Sequence, residues 1–110
     1  MSKRNIIQLS EFDITQKIIE SLSNVCTRSV LFSVKNESKD VMQIADELKI
    51  SISTVYKTLS TLEDLALAEI DRYVISPEGK KIKLYRSRIG KVEITLDDLE
   101  PTLMLHPNDS

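Results

Sequence analysis

The chain has 110 residues, a hydrophobic share of 41%, a charged share of 29% and a formal net charge of −2. This length suits one globular domain and excludes a separate sensor or catalytic module. No apolar run approaches the roughly 18 residues of a membrane-spanning helix, and the N-terminus lacks the pattern of a signal peptide. We therefore expect a cytoplasmic protein, and the single cysteine, Cys26, agrees with a reducing compartment.

The first third of the chain predicts two helices. Over residues 10–25, Ile14, Ile18 and Leu22 recur at helical spacing, and Ser10 is placed to cap the helix. A second helix is predicted over about 27–35. The polar residues 36–39 that follow indicate a loop.

Two shorter helices joined by a brief turn are predicted next. Asp40 is placed to cap the first, with Gln43 at the reciprocal position of a capping box, and Ser51 is placed to cap the second. Ala45 allows the helices to approach closely, and Ile50 fills the turn. Two helices connected in this way form a helix-turn-helix unit. Its buried sides are expected to contain Ile44, Ala45, Leu48, Ile52, Val55, Leu59 and Leu62.

After residue 68 the pattern becomes that of β-structure. Residues 70–75 predict a strand, Ser76-Pro77-Glu78-Gly79 predicts a turn, and a second strand passes through Ile82 and Leu84. Val92 and Ile94 suggest a short third strand, and Thr95 is placed to cap a final helical turn. The expected fold class is mainly α with a small β-hairpin wing (α+β), a winged helix-turn-helix.

The chain is expected to divide into three parts. Residues 1–9 form an N-terminal extension, and residues 10–95 form the winged helix-turn-helix domain. Residues 96–110 form a C-terminal short helix and tail, which is a candidate dimerisation element because it carries several apolar residues.

The exposed side of the fourth helix, about residues 51–65, suits contact with DNA. Ser53, Thr54, Tyr56, Lys57 and Ser60 lie opposite its apolar side. Short hydroxyl groups and a lysine can hydrogen-bond phosphates or base edges. A helix also fits the major groove, which is about 12 Å wide.

Charge is segregated along the chain. Residues 72–91 contain seven basic residues and one acidic residue, Glu78, whereas Glu93, Asp97, Asp98, Glu100 and Asp109 follow with no Lys or Arg. Local charge density decides contacts with nucleic acid, because salt screens charges beyond about 10 Å. The hairpin over about 70–88 is therefore predicted to be a basic wing that contacts DNA.

The segment Ile50-Ser51-Ile52-Ser53-Thr54-Val55-Tyr56-Lys57-Thr58-Leu59, followed by Leu62-Glu63-Asp64-Leu65, resembles the recognition-helix signature of ArsR-like and MarR-like winged-helix regulators. The resemblance covers about residues 26–89 and implies a DNA-reading helix and a two-stranded wing. It places DNA-binding residues at Ser51, Ser53, Thr54, Tyr56, Lys57, Arg72, Lys80, Lys81 and Lys83. Ala66 stands where these regulators commonly have glycine after the recognition helix, and Lys49 stands where older helix-turn-helix patterns have glycine.

The function expected from these features is transcriptional regulation through duplex DNA, in association with the nucleoid if the organism is a prokaryote. A single module buries a modest interface, so a homodimer on a pseudo-palindromic site is expected. The predicted dimer interface contains Ile14, Ile18, Leu22, Leu99 and Leu103.

Other functions are less well supported by the residues. No Gly-rich phosphate loop and no nucleophile beside a histidine is present, so an enzyme is not predicted. Cys26 and His106 are far apart in sequence, so neither a metal nor another cofactor is predicted. The alternative is a winged-helix module that binds protein in the transcription machinery, which the acidic tail favours.

Overall fold

The computed structural model describes the backbone of residues 3–109 and the side chains of residues 13–109. Four helices come first: α1 (Lys3–Ser23), α2 (Val25–Ser33), α3 (Val41–Leu48) and α4 (Ile52–Asp64). Four strands follow: β1 (Ala68–Ile75), β2 (Lys81–Ser87), β3 (Ile89–Thr95) and β4 (Thr102–Pro107). The four helices and the β1–β2 hairpin confirm the expected α+β class and are consistent with a winged helix.

The first helix begins earlier than the sequence suggested. Ser10 lies inside α1 and does not cap it, and the predicted extension 1–9 contributes its backbone to α1 from Lys3 onward. The predicted extension also includes residues 1–2, which lie outside the described residues. Asn24 separates α1 from α2 and accepts a hydrogen bond from the Thr27 N–H at 3.1 Å.

The helix-turn-helix unit begins with the predicted caps. The Asp40 side chain accepts from the Gln43 N–H, and the Gln43 side chain accepts from the Asp40 N–H, which completes the capping box. Ser51 caps α4 by accepting from the Thr54 N–H at 3.1 Å. Ala45 is buried, as the close approach of α3 and α4 requires.

Both helices of this unit end in the same backbone motif. Lys49 after α3 and Ala66 after α4 adopt the left-handed conformation, with φ of 57° and 59°. The N–H of the next residue then donates a hydrogen bond to the carbonyl oxygen five residues earlier. These bonds join Ile50 N to Ala45 O at 3.1 Å and Leu67 N to Leu62 O at 2.8 Å. These are the hydrogen bonds of a Schellman motif, in which glycine usually occupies the left-handed position.

Strands β1 and β2 pair antiparallel and form the wing hairpin. Its turn is the predicted one, because the Gly79 N–H donates to Ser76 O at 2.9 Å. Gly79 has φ of +81°, a conformation that side chains disfavour. On the other side of β2, Lys39 and Tyr85 exchange two backbone hydrogen bonds, so the wing hairpin is tied to the start of α3.

The C-terminal region corrects two predictions. The short helix expected within residues 96–110 is wrong, because β4 lies there and pairs antiparallel with β3. The strand expected at Val92 and Ile94 exists, but it belongs to this second, separate sheet. Leu103 and Leu105 pack on the core while Met104 is exposed, so the spacing of two residues is that of a strand.

The core lies where the helices meet the inner ends of the two hairpins. Val30, Leu31, Ile44, Val55, Leu59 and Leu62 supply its centre, and Tyr85 and Ile89 close it from the strands. Ile52 differs from its prediction, since 43% of it is exposed at the first position of α4.

Candidate DNA-binding surface

The exposed side of α4 presents short polar and basic side chains in one row. Ser53, Lys57 and Ser60 are exposed and follow each other at spacings of four and three residues, which places them on one side of the helix. The opposite side is anchored by Val55, Leu59 and Leu62, which are fully buried. The row therefore projects from a helix that is held firmly by the core.

The hydroxyl groups at the start of α4 are linked to one another. Ser51 Oγ donates to Thr54 Oγ1 at 2.7 Å while it accepts from the Thr54 N–H, and it lies 3.2 Å from Ser53 Oγ. The Ser51 hydroxyl proton is therefore used in a hydrogen bond within the helix cap. Thr54 is half-buried, so Ser53 is the most available of these three predicted contacts.

The wing lysines, Lys80, Lys81 and Lys83, are all exposed. The pairs Tyr73–Lys83 and Ile75–Lys81 place two of them on one face of the wing hairpin with Tyr73 and Ile75. Lys81 Nζ lies 4.2 Å above the centre of the Tyr73 ring. This cation–π contact orients the ammonium group without cancelling its charge.

The structure separates Arg72 from the wing lysines. It pairs with Leu84 in the register, so its side chain belongs to the other face of the hairpin. Its Nη1 lies 2.7 Å from Asp71 Oδ2, and the same oxygen accepts from the Ser38 hydroxyl at 2.6 Å. The Ser38 hydrogen bond, helped by the Arg72 charge, holds the pKa of Asp71 below its ordinary value.

A cleft of about 430 Å³ lies between the start of α3, the exposed side of α4 and the wing hairpin. Tyr56 of α4 faces the wing lysines across this cleft, whose further lining comprises Asp40, Val41, Met42, Ile82 and Tyr85. Burial raises the pKa of the Tyr85 phenol above its ordinary value. The cleft thus combines apolar and aromatic walls with three ammonium groups.

Met42 also belongs to this surface, and it is not among the DNA-binding residues predicted from the sequence. It is 68% exposed in the first turn of α3 and lines the cleft beside Tyr56. The signal was available, because Met42 lies outside the apolar side formed by Ile44, Ala45 and Leu48.

The basic residues of this surface keep their charge available. Among the described residues, no ion pair includes Lys57, Lys80, Lys81 or Lys83. Arg88 differs, since its Nε lies 3.6 Å from Glu69 Oε2. Unpaired ammonium groups on a helix and an adjacent hairpin suit a polyanion.

The residues predicted for a dimer interface differ in how far they are exposed. Ile18 and Leu22 are buried in the core of the single chain, and Leu103 is half-buried against it. Ile14 and Leu99 remain exposed, at 55% and 92%.

Two further findings concern the described part of the chain. None of its helices is long and apolar enough to cross a membrane. Its His, Cys, Asp and Glu side chains form no group of three or more that could hold a metal ion.

Comparison with known proteins agrees with this architecture. The chain is 33% identical over 66 residues to an uncharacterised HTH-type transcriptional regulator of Methanocaldococcus jannaschii, and the match covers 60% of this chain and 70% of the relative. The chain belongs to the HTH-type transcriptional regulators. No protein-family model matches this regulator, so the comparison supports the general class without a subtype such as ArsR-like or MarR-like.

Proposed function

We propose that this HTH-type regulator binds duplex DNA with α4 in the major groove and with the wing lysines on the adjacent phosphates. The observation that carries the proposal is the cleft where Tyr56 of α4 faces Lys80, Lys81 and Lys83, none of which forms an ion pair with another described residue. Ser53 and Lys57 are the proposed contacts to base edges or phosphates. Ser51 and Thr54 position the helix start, and the partial positive charge of a helix N-terminus favours a phosphate.

Arg72 has a different part in this proposal. Its pairing with Asp71 and its place on the other hairpin face make it a weaker contributor than the wing lysines. The resemblance of residues 50–65 to ArsR-like and MarR-like regulators supports the same use of α4 and the wing hairpin, at a promoter in the cytoplasm.

The test is fluorescence anisotropy on generic duplex DNA across a salt series. We expect binding to weaken as salt increases, because each phosphate contact releases condensed counterions. Changing Lys80, Lys81 and Lys83 together to alanine should lower the salt slope by about one for each lost phosphate contact.

The matched control removes three positive charges that are already paired. Lys17, Arg88 and Lys91 each lie within 4.0 Å of a carboxylate oxygen, at Asp13, Glu69 and Glu93. Changing them to alanine alters the net charge equally but should leave the salt slope close to that of the wild type. Equal slopes for both triple variants would contradict a specific role for the wing lysines.

The second candidate function is a protein-interaction module of the transcription machinery. It is favoured by exposed apolar side chains at the start of α3, at the start of α4 and on the wing hairpin, since Met42, Ile52 and Ile75 are 68%, 43% and 69% exposed. A protein that fails to bind duplex DNA even at low salt would support this candidate.

The proposal includes a homodimer. Two copies related by a two-fold axis would place two α4 helices in successive major grooves, as a pseudo-palindromic site requires. Sedimentation velocity without DNA tests this part separately from DNA binding.

A further inference from the structure

A second surface lies on the C-terminal hairpin, formed by β3 and β4. A groove of about 250 Å³ lies between α1, α2 and β3. Its lining comprises Leu22, Ser23, Arg28, Phe32, Val92 and Ile94. The groove is mainly apolar, and Arg28 supplies its positive charge.

The Arg28 charge is available to a partner. Its Nη1 donates to the backbone oxygens of Leu22 at 2.7 Å and Ser23 at 3.1 Å, which closes the end of α1. Carbonyl oxygens carry no net charge, and no ion pair of the described residues includes Arg28. The guanidinium therefore remains a cation at the edge of an apolar groove.

The loop between β3 and β4 has the complementary chemistry. It contains Leu96-Asp97-Asp98-Leu99-Glu100, in which Leu96 and Leu99 are 74% and 92% exposed. None of its three carboxylates is in an ion pair within the described part of the chain, although Asp98 accepts from the Leu99 N–H at 2.6 Å. Two leucines and three unpaired carboxylates match an apolar groove that carries an arginine.

We infer that the β3–β4 loop of one copy docks into the α1–α2–β3 groove of a second copy, with its leucines on the apolar lining and its carboxylates near Arg28. The loop and the groove lie at the same end of β3, because Ile94 lines the groove and Leu96 starts the loop two residues later. A two-fold axis beside the hairpin therefore makes both contacts at once, as an isologous dimer requires.

This inference rests on the dimer of the proposed function and identifies the surface that forms it. It also reassigns part of the interface expected from the sequence. Leu22 contributes as groove lining rather than as an exposed contact, and Leu99 becomes the central side chain of the loop.

The experiment is sedimentation velocity of the full chain without DNA, for the wild type and Leu99→Ser. We expect a dimer whose dissociation constant rises at least about tenfold in Leu99→Ser, because a leucine buried in the dimer loses its apolar contact in both copies. Ile75→Ser is the matched control, since Ile75 is 69% exposed on the wing hairpin and should leave the dimer unchanged.

A charge exchange tests the polar part of the contact. Arg28→Glu should weaken the dimer, and combining it with Asp97→Arg and Glu100→Arg should restore much of the association. Circular dichroism of each variant checks that its total helix content equals that of the wild type.

The outcomes separate this inference from DNA binding. A wild-type monomer at micromolar concentration, or a Leu99→Ser dimer as tight as the wild type, overturns the docking even if DNA binds. A dimer that Leu99→Ser weakens supports the docking, and it does so even if the same protein fails to bind DNA.

Discussion

Lys49 and Ala66 occupy the left-handed positions that end α3 and α4, where glycine is the usual residue. Both residues have positive φ, and both precede the hydrogen bond that closes a Schellman motif. In the left-handed region a Cβ atom lies too close to the following carbonyl oxygen, which costs roughly 1–2 kcal/mol. The two positions at which this sequence lacks the glycine of known helix-turn-helix patterns are therefore positions of local backbone strain.

Ala66→Gly should stabilise the protein by about 1 kcal/mol, because it removes the Cβ from a left-handed residue. We expect the thermal midpoint to rise by about 4–8 °C, and Lys49→Gly should act in the same direction. Ser60→Gly is the control, since it lies in the right-handed interior of α4 and should lower stability by about 0.5–1 kcal/mol. A thermal midpoint of Ala66→Gly below that of the wild type would contradict backbone strain at Ala66.

The Glu93 carboxylate should titrate below its ordinary range. His106 Nε2 lies 2.6 Å from Glu93 Oε2, and this hydrogen bond, followed by the Lys91 charge, lowers the pKa of Glu93. A lowered pKa contributes stability above the unfolded value and loses it as pH falls through the folded value. NMR titration should show the Glu93 pKa rising most in His106→Ala and less in Lys91→Ala. An unchanged pKa in His106→Ala would contradict the pairing.

The C-terminal hairpin is attached to the helices through Asn108. Its Nδ2 donates to Lys35 O at 2.8 Å and to Ser87 O at 2.9 Å, which joins the end of the chain to the segment after α2 and to the end of β2. The nearby Gly90 permits this closure, because a Cβ there would lie 3.1 Å from Pro107 O. The second sheet is thus held by long-range polar contacts as well as by its apolar face.

Asn108→Asp should destabilise the protein by about 1–3 kcal/mol, since a carboxylate keeps the shape of the amide but has no N–H to donate. Urea unfolding followed by circular dichroism measures the loss. Asn36→Asp makes the same chemical change in an exposed loop position and should have little effect. Equal midpoints for the two variants would show that the Asn108 contacts add no stability.

Local signals explain which elements the sequence could predict. The capping box of Asp40 and Gln43, the Ser51 cap and the turn at residues 76–79 depend on neighbours in the chain, and all three were predicted. The β3–β4 sheet depends on pairing across a loop, and its anchor joins Asn108 to Lys35. Thr95 and Asp98 led to the wrong prediction of a helix, because the residue types that cap helices are also common in loops.

The site shows the same division between local and long-range information. The polar row of α4 follows from helical spacing, so the candidate contacts Ser53 and Lys57 could be selected from sequence. The separation of Arg72 from the wing lysines depends on strand register and on the irregularity between Ile70 and Arg72. The place of Met42 in the cleft depends on how α3 packs beside the wing hairpin.

At the scale of the molecule, the small net charge of −2 conceals two regions of opposite character. Lysines that form no ion pair within residues 13–109 line the cleft beside α4, whereas carboxylates that form none within the same residues occupy the β3–β4 loop. The chain is elongated, with extents of 58 × 27 × 26 Å. We therefore propose that DNA contact and self-association use different elements and can be altered independently.

If DNA contact and self-association use different surfaces, the salt dependence of DNA binding measures how many copies are bound. The reason is that each bound copy adds its own phosphate contacts. Each phosphate contact contributes about −0.9 to the slope of log affinity against log salt on duplex DNA. A dimer that engages both copies should therefore have about twice the slope of a monomer. Leu99→Ser leaves every proposed DNA contact in place, so on a generic duplex long enough for both copies its slope should fall to about half of the wild-type value.

The wing variant supplies the comparison for this measurement. Changing Lys80, Lys81 and Lys83 to alanine should lower the slope while the sedimentation mass stays that of a dimer, whereas Leu99→Ser should lower both. If Leu99→Ser forms monomers yet keeps the full slope, one copy makes all the phosphate contacts, and the two-fold arrangement on DNA is wrong. Because the slope reports contacts per complex and the mass reports copies per complex, the two variants together separate DNA contact from self-association.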